Sequence, residues 1–170
     1  AECAGRALVR RRSGWARDPA KAQAAAQWLR GQGIPAQAAT DLEQSVRAAQ
    51  IVSCATTATS PVVHGDWLAP GTHLDLVGAF TPQMREVDDA AVARSRIVVD
   101  TYDGALAEAG DLLVPMASGA ITREAVVAEL AELVRGEKPG RTAASEITLF
   151  KSVGTALEDL AAAALVVGSG

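Results

Sequence analysis

The sequence predicts an α/β domain with a doubly wound, mostly parallel sheet. Short apolar segments rich in β-branched residues alternate along the chain with alanine-rich stretches of helical spacing. Strands separated by helical crossovers imply parallel pairing with helices on both faces. Composition agrees: the 170 residues are 49% hydrophobic, 21% charged and 4% aromatic, which is globular and ample for a buried core. The 36 alanines predict small-faced, closely packed helices.

The elements follow in order. Residues 1–14 (AECAGRALVRRRSG) read poorly as the start of a domain, since a basic run stands there with no strand or turn signal before it. From Trp15 the pattern becomes regular. Asp18-Pro19 starts a helix, because Asp caps free N–H groups and Pro is pre-set for the first helical position. The helix runs Ala20 to Arg30 and is expected to stop at Gly31. Residues 34–39 are extended, with Pro35 marking an edge. Asp41 opens a short helix, with Gln44 placed to complete a capping box. Ile51 to Ala55 is a buried strand, followed by the hydroxyl-rich loop Thr56 to Pro61.

Pro70-Gly71 turns the chain into a strand over His73 to Gly78. A short helix over Asp88 to Ser95 leads into Arg96 to Asp100, the clearest buried strand. Residues 101–110 read as a helix ending at Gly110. Thr122 to Arg135 reads as an amphipathic helix, with Val126, Val127, Leu130, Leu133 and Val134 on one face and Gly136 as its stop. After the loop 136–145, Ile147 to Phe150 is a strand that runs directly into a last helix over Ser152 to Val166. There are no internal repeats.

The net charge of −4 argues against general nucleic-acid binding. It is unevenly spread, at +4 over residues 1–50 and −8 over residues 51–170. No apolar run approaches the ~20 residues of a membrane span. Arg10-Arg11-Arg12 has no apolar segment after it, as a signal peptide requires. Cys3 and Cys54 alone make neither a disulfide scaffold nor a multi-cysteine zinc site. A soluble cytoplasmic protein, with no nucleic-acid or membrane partner, is the expectation.

In doubly wound folds ligands sit at the carboxyl ends of the strands. Gly31-Gln32-Gly33-Ile34-Pro35-Ala36 spells G-x-G-x-x-A, but it follows a helix and precedes a strand, the reverse of what phosphate binding needs. It reads as a helix stop and a turn. Ala16, Arg17 and Asp18 close the first strand, where a dinucleotide fold meets the adenosine ribose. Arg17 there reads as a surface residue beside a cap, or as a partner for a 2′-phosphate. Thr56 and Thr57 read equally as an ordinary turn and as a loop passing close beneath a nucleotide. Cys54 reads as a small core residue, and His64 and His73 as structural or surface residues without metal-ligand spacing. Lys151 between strand and helix is unusual as a cap and reads as either functional or solvated.

Several stretches together resemble the ornithine cyclodeaminase/mu-crystallin family. They are Ala55 to Pro61, Gly65-Asp66-Trp67-Leu68, Val77-Gly78-Ala79, Met84 to Asp88, Val99-Asp100, Glu108 to Asp111 and, most specific, Thr148 to Asp159. They span residues 15 to 167 in the family's order. The resemblance implies a Rossmann domain using NADPH or NADH, beside an N-terminal dimerisation and substrate domain. It further implies that the first strand, its glycine loop and the catalytic residues lie outside this chain, which reads as N-terminally truncated. Residues 1–14 are then an atypical start, 15–150 the incomplete cofactor domain, and 151–170 a helix returning towards the other domain.

By the same resemblance Ala16, Arg17 and Asp18 match the adenosine side, with Arg17 favouring NADPH. Thr56 and Thr57 match the loop beneath the cofactor, Val77 the nicotinamide side, and Ser152 and Val153 the segment near nicotinamide and substrate. Cyclodeaminases of the family carry V-G-G-D, whose Asp works on the substrate amine; here Phe80 holds that position. Phe80 and Ser152 are the substrate-proximal residues. The phrase Gly78 to Glu86 looks instead like the bacterial ketimine reductases. These act on Δ1-pyrroline-2-carboxylate or its six-membered homologue, giving proline or pipecolate. The resemblance implies a homodimer acting on a small cyclic imino acid, with no metal. A cyclodeaminase, an amino-acid dehydrogenase, and a non-catalytic mu-crystallin-like binder or inactive fragment are the alternatives.

Overall fold

The computed structural model describes residues 12–168, which divide into two compact units at Ser45/Val46. In the first, strand β1 (Arg12–Gly14) pairs parallel with β2 (Ala36–Ala38) through helix α1 (Pro19–Gly31). The strand therefore lies just ahead of Trp15, within the stretch that reads as an atypical start. The Asp18 carboxylate accepts from the Ala20 N–H at 2.9 Å and Pro19 opens the helix, as predicted. The stop is displaced by two residues. Gly31 is the last helical residue, and Gly33, at φ +75°, makes the left-handed turn. Helix α2 (Leu42–Arg47) follows, with Asp41 accepting from the Gln44 N–H at 2.9 Å.

The second unit holds a five-stranded parallel sheet in the order β3 (Ile51–Cys54), β4 (His73–Leu76), β7 (Ile147–Lys151), β5 (Ser95–Val99), β6 (Val126–Glu129). Leu74, Leu76, Ile97, Val99 and Leu149 are essentially inaccessible. Beside them lie α3 (Asp89–Ala93), α4 (Tyr102–Glu108) and α5 (Gly110–Ser118), contributing buried Ala91, Val92, Ala105 and Leu112 to the core. Alternate residues of β4 and β7 are half-buried: His73 hydrogen-bonds Thr148 at 2.8 Å, Asp75 accepts from the Ser53 hydroxyl at 2.8 Å, and Phe150 follows on the same face. The period of two sorts each of these strands into a fully buried and a half-buried face.

Three helices differ from expectation. Residues 122–135 form a 3-10 turn (Arg123–Ala125), then β6, then a five-residue helix α6 (Leu130–Val134). Val126 and Ala128 alternate into the core once β6 pairs with β5, so the tertiary contact overrides the helical spacing. A capping box between Glu129 and Glu132 starts α6 only after the strand. Gly110 begins α5 rather than ending α4. Finally, Lys151 ends β7, and Ser152–Thr155 separates it from α7 (Ala156–Gly168), so strand and helix are not joined directly. Helix α7 buries none of its residues, and Leu157, Leu160, Leu165, Val166 and Val167 are exposed. Among the described residues no helix is long and apolar enough to cross a membrane.

Candidate active site at the carboxyl edge of the sheet

Parallel strands end together, so the loops after β3, β4, β5 and β7 gather at one edge of the second unit. Leu76 lies opposite Lys151, and Lys151 opposite Val99, which places Lys151 at the middle of that edge. The sequence-predicted residues Thr56, Thr57, Val77, Phe80, Ser152 and Val153 all stand on these loops. Val77 and Phe80 are 48% and 45% exposed. Ala16, Arg17 and Asp18 belong to the first unit, between β1 and α1, with Arg17 exposed and Asp18 engaged as the α1 cap.

The loops are tightly braced. After β3, the Thr56 N–H donates to Glu86 Oε1 at 2.5 Å, and the Thr56 hydroxyl accepts from the Ala58 N–H at 3.2 Å. After β4, the Val77 N–H donates to the Cys54 carbonyl at 2.9 Å. Gly78 is required there, because a Cβ would strike the Thr56 carbonyl and the Glu86 carboxylate. Gly110 fills the same need on the far side, where a Cβ would meet the carbonyls of Met84 and Thr81. Its N–H donates to the Ala79 carbonyl at 3.2 Å. Ala79 is fully buried at φ +50°, the left-handed region, where an L side chain costs of order 1 kcal/mol and persists only when its surroundings hold it.

After β5 stands Asp100, buried and saturated. Its carboxylate accepts from the N–H groups of Thr101 (2.7 Å), Val153 (2.7 Å) and Gly154 (2.8 Å) and from the Ser152 hydroxyl (3.1 Å). The Ser152–Gly154 loop is thus shaped by a carboxylate from the neighbouring strand.

Beneath the edge lies a fully buried cluster of ionisable side chains, Glu86, Asp111 and Lys151. Asp111 Oδ1, in the first turn of α5, accepts from the N–H groups of Glu86 (2.7 Å) and Val87 (3.1 Å). Its Oδ2 lies 3.6 Å from Lys151 Nζ. The Lys151 ammonium also donates to the Leu76 carbonyl at 3.4 Å and to the Gly78 carbonyl. Among the described residues neither Glu86 Oε2 nor Asp111 Oδ2 has a hydrogen-bond partner. Burial pushes the Glu86 and Asp111 carboxyls above the ordinary range and the Lys151 ammonium below its own. The same burial, with these carboxylates nearby, pushes the Cys54 thiol up to about 12 and makes it a core residue.

The site has a rigid, small-residue floor with two exposed apolar side chains and hydroxyls at its lip. Val77 presents an exposed apolar side chain there, and the space around Gly154 is open. His64 pairs with Asp88 at 3.1 Å and stacks edge-on against Trp67, and among the described residues no His/Cys/Asp/Glu cluster fits a metal ion. Asp100, Glu86 and Asp111 were not among the sequence-predicted site residues, and Lys151, read as either functional or solvated, is not solvated but fully buried. Their available signal was a run of charges at strand ends and inside otherwise apolar segments, namely Val-Val-Asp, Arg-Glu-Val, Gly-Asp-Leu-Leu and Leu-Phe-Lys.

The chain is 45% identical over 158 residues to the Delta(1)-pyrroline-2-carboxylate reductase of Paracoccus denitrificans, covering 93% of this chain and 50% of that protein. A solved Delta(1)-pyrroline-2-carboxylate reductase from Thermococcus litoralis, in complex with NADH and L-proline, superimposes with a TM-score of 0.87 at 38% identity, over 93% of this chain and 51% of that one. An archaeal alanine dehydrogenase dimer with bound NAD gives a TM-score of 0.86 at 30% identity, over 92% of this chain and 47% of that one. The chain thus spans about half the length of the curated relatives it matches. Residues 5–169 match the family model described as the ornithine cyclodeaminase/mu-crystallin family, and to that family this chain belongs.

Proposed function

We propose that the whole protein reduces a cyclic ketimine acid, Δ1-pyrroline-2-carboxylate or Δ1-piperideine-2-carboxylate, to proline or pipecolate at the expense of NADPH or NADH. Phe80 carries the reading. It stands half-exposed at the carboxyl edge, at the position matching the cyclodeaminase Asp. A phenyl ring neither accepts a proton nor binds an ammonium by charge, but it covers an apolar ring well. Similarity to the Paracoccus and Thermococcus reductases supports the same choice.

When bound, the reduced nicotinamide supplies the hydride that ends on the carbon of the C=N bond. The chain's own residues orient and shield. Val77 walls the ring, Thr56 and Thr57 pass beneath the cofactor, and Ser152 and Val153, held by Asp100, line the nicotinamide and substrate side. Ala16, Arg17 and Asp18 serve the adenosine side, with Arg17 favouring NADPH. The ring nitrogen takes a proton, and the acid that gives it lies elsewhere in the whole protein. We place the cofactor domain over residues 15–150, with Lys151 completing β7, and assign to α7 the packing of its exposed apolar residues against the other domain of a homodimeric, cytoplasmic enzyme.

The test is near-ultraviolet absorbance of NADPH and NADH on adding Δ1-pyrroline-2-carboxylate to the whole protein. Rapid oxidation is expected. No oxidation, with cofactor binding shown intact, would move the assignment to an amino-acid dehydrogenase, as the alanine dehydrogenase similarity allows, or to a binding protein.

A further inference from the structure

Lys151 is the largest side chain fully buried in the second unit, and burying an ammonium is costly where an apolar residue of similar volume would pack more cheaply. Its place explains the expense. An ammonium has three N–H donors. Asp111 Oδ2 lies 3.6 Å away as an ion-pair partner outside hydrogen-bond distance. Two of the donors go to main-chain carbonyls, of Leu76 at the end of β4 and of Gly78 two residues beyond it. The next residue, Ala79, takes the left-handed conformation that its side chain disfavours. Two N–H donors from separate elements therefore bracket this bend, Lys151 on the Gly78 carbonyl and Gly110 on the Ala79 carbonyl. Immediately on either side of Gly78-Ala79 stand Val77 and Phe80, the two exposed apolar residues of the edge.

We propose that Lys151 is a positioning residue for the reduction: its buried ammonium grips the Leu76 and Gly78 carbonyls and holds the bend at Ala79 so that Val77 and Phe80 face nicotinamide and substrate. Asp111 is the counter-charge that keeps the ammonium in place. The inference rests on the proposed reductase function for its catalytic consequence, and on the geometry alone for the clamp.

The experiment uses the whole protein with K151M, and K151M/D111N as a second variant that leaves no unpaired Asp111 charge if the first does not fold. Two quantities are read. Hydrogen exchange of the free protein is expected to accelerate at residues 77–80 by about tenfold or more, while 74–76 and 147–150 keep their rates. Kinetics with Δ1-pyrroline-2-carboxylate are expected to show kcat down by about 10²-fold, the cost of roughly 1 Å of misplacement, with KM little changed. The NADH dissociation constant should move by less than about threefold. The deuterium isotope effect on kcat from 4-deuterated cofactor should rise, because hydride transfer becomes the slow step. Unchanged exchange at 77–80, or acceleration spread evenly over β4, β7 and α5, would overturn the clamp. A folded variant with wild-type kcat and isotope effect would overturn the positioning role. A wild-type protein that binds NADH yet leaves cyclic ketimines unreduced would overturn the function and the catalytic consequence with it, the exchange result still deciding the clamp.

Discussion

Glu86 is fully buried, without a hydrogen-bond partner on Oε2 among the described residues, and has the Asp111 carboxylate and the Lys151 ammonium nearby. Burial, the main cause, raises its pKa above the ordinary 4.5, so the folded protein holds a proton that the unfolded chain releases. Its contribution to stability is therefore complete below 4.5 and is lost as pH rises through the raised value. Glu86→Gln keeps an oxygen to accept from the Thr56 N–H and removes the titration. Denaturant midpoints from pH 4.5 upward are expected to fall less steeply in the variant, which gains on the wild type as pH rises. Parallel slopes would show that Glu86 does not take up the proton. Arg17 is legible at the same scale. It is exposed at the end of β1, and Arg17→Ala is expected to weaken NADPH by about tenfold or more, the loss of charge-assisted hydrogen bonds, with little effect on NADH. Equal losses would remove Arg17 from the phosphate.

At the scale of elements, the carboxyl-edge loops are shaped by side chains from other strands and helices rather than by their own turn chemistry. Asp100 at the end of β5 satisfies three N–H groups and a hydroxyl, two of those N–H groups in the loop after β7. Asp100→Ala strands these donors and is expected to cost about 2–3 kcal/mol. Exchange should rise first at 152–154, ahead of the rest of β7. A uniform loss across the sheet would mean that the carboxylate supports the core and not the loop. The elements also show where pattern reading reaches its limit. Strand β3 was legible as a strand but not as what it is, since it reads as buried yet ends the sheet and leaves Ile51 exposed. Strands β4, β5 and β7 were legible because each is a short β-branched or apolar run. Residues 122–135 were not, because Val126-Val127 and Leu130 satisfy a helical spacing and a strand followed by a helical turn equally well. Pairing with β5 decides between them.

For the whole molecule, substrate class depends on what the assembled edge presents. On the proposed reading Phe80 stands where a cyclodeaminase carries its carboxylate, and the half-exposed phenyl ring offers no charge to a substrate amine. Ammonia release from ornithine by the whole protein is accordingly expected to be negligible beside its reduction of Δ1-pyrroline-2-carboxylate. A coupled ammonia assay checks this, and robust ornithine turnover would reverse the assignment.

The sequence by itself determined the α/β class, the order of most elements, the family, and six residues that do stand at the carboxyl edge. Those properties are written locally, in hydrophobic period, capping residues and contiguous motifs. Tertiary structure alone decided that Lys151 ends a strand and is buried, and that Asp111, 40 positions earlier, is its counter-ion. It also decided that Asp100 shapes the loop after β7, and that Ala79 is held left-handed between two elements. A residue's spacing along the chain carries no record of which distant carbonyl or carboxylate will face it once the strands align.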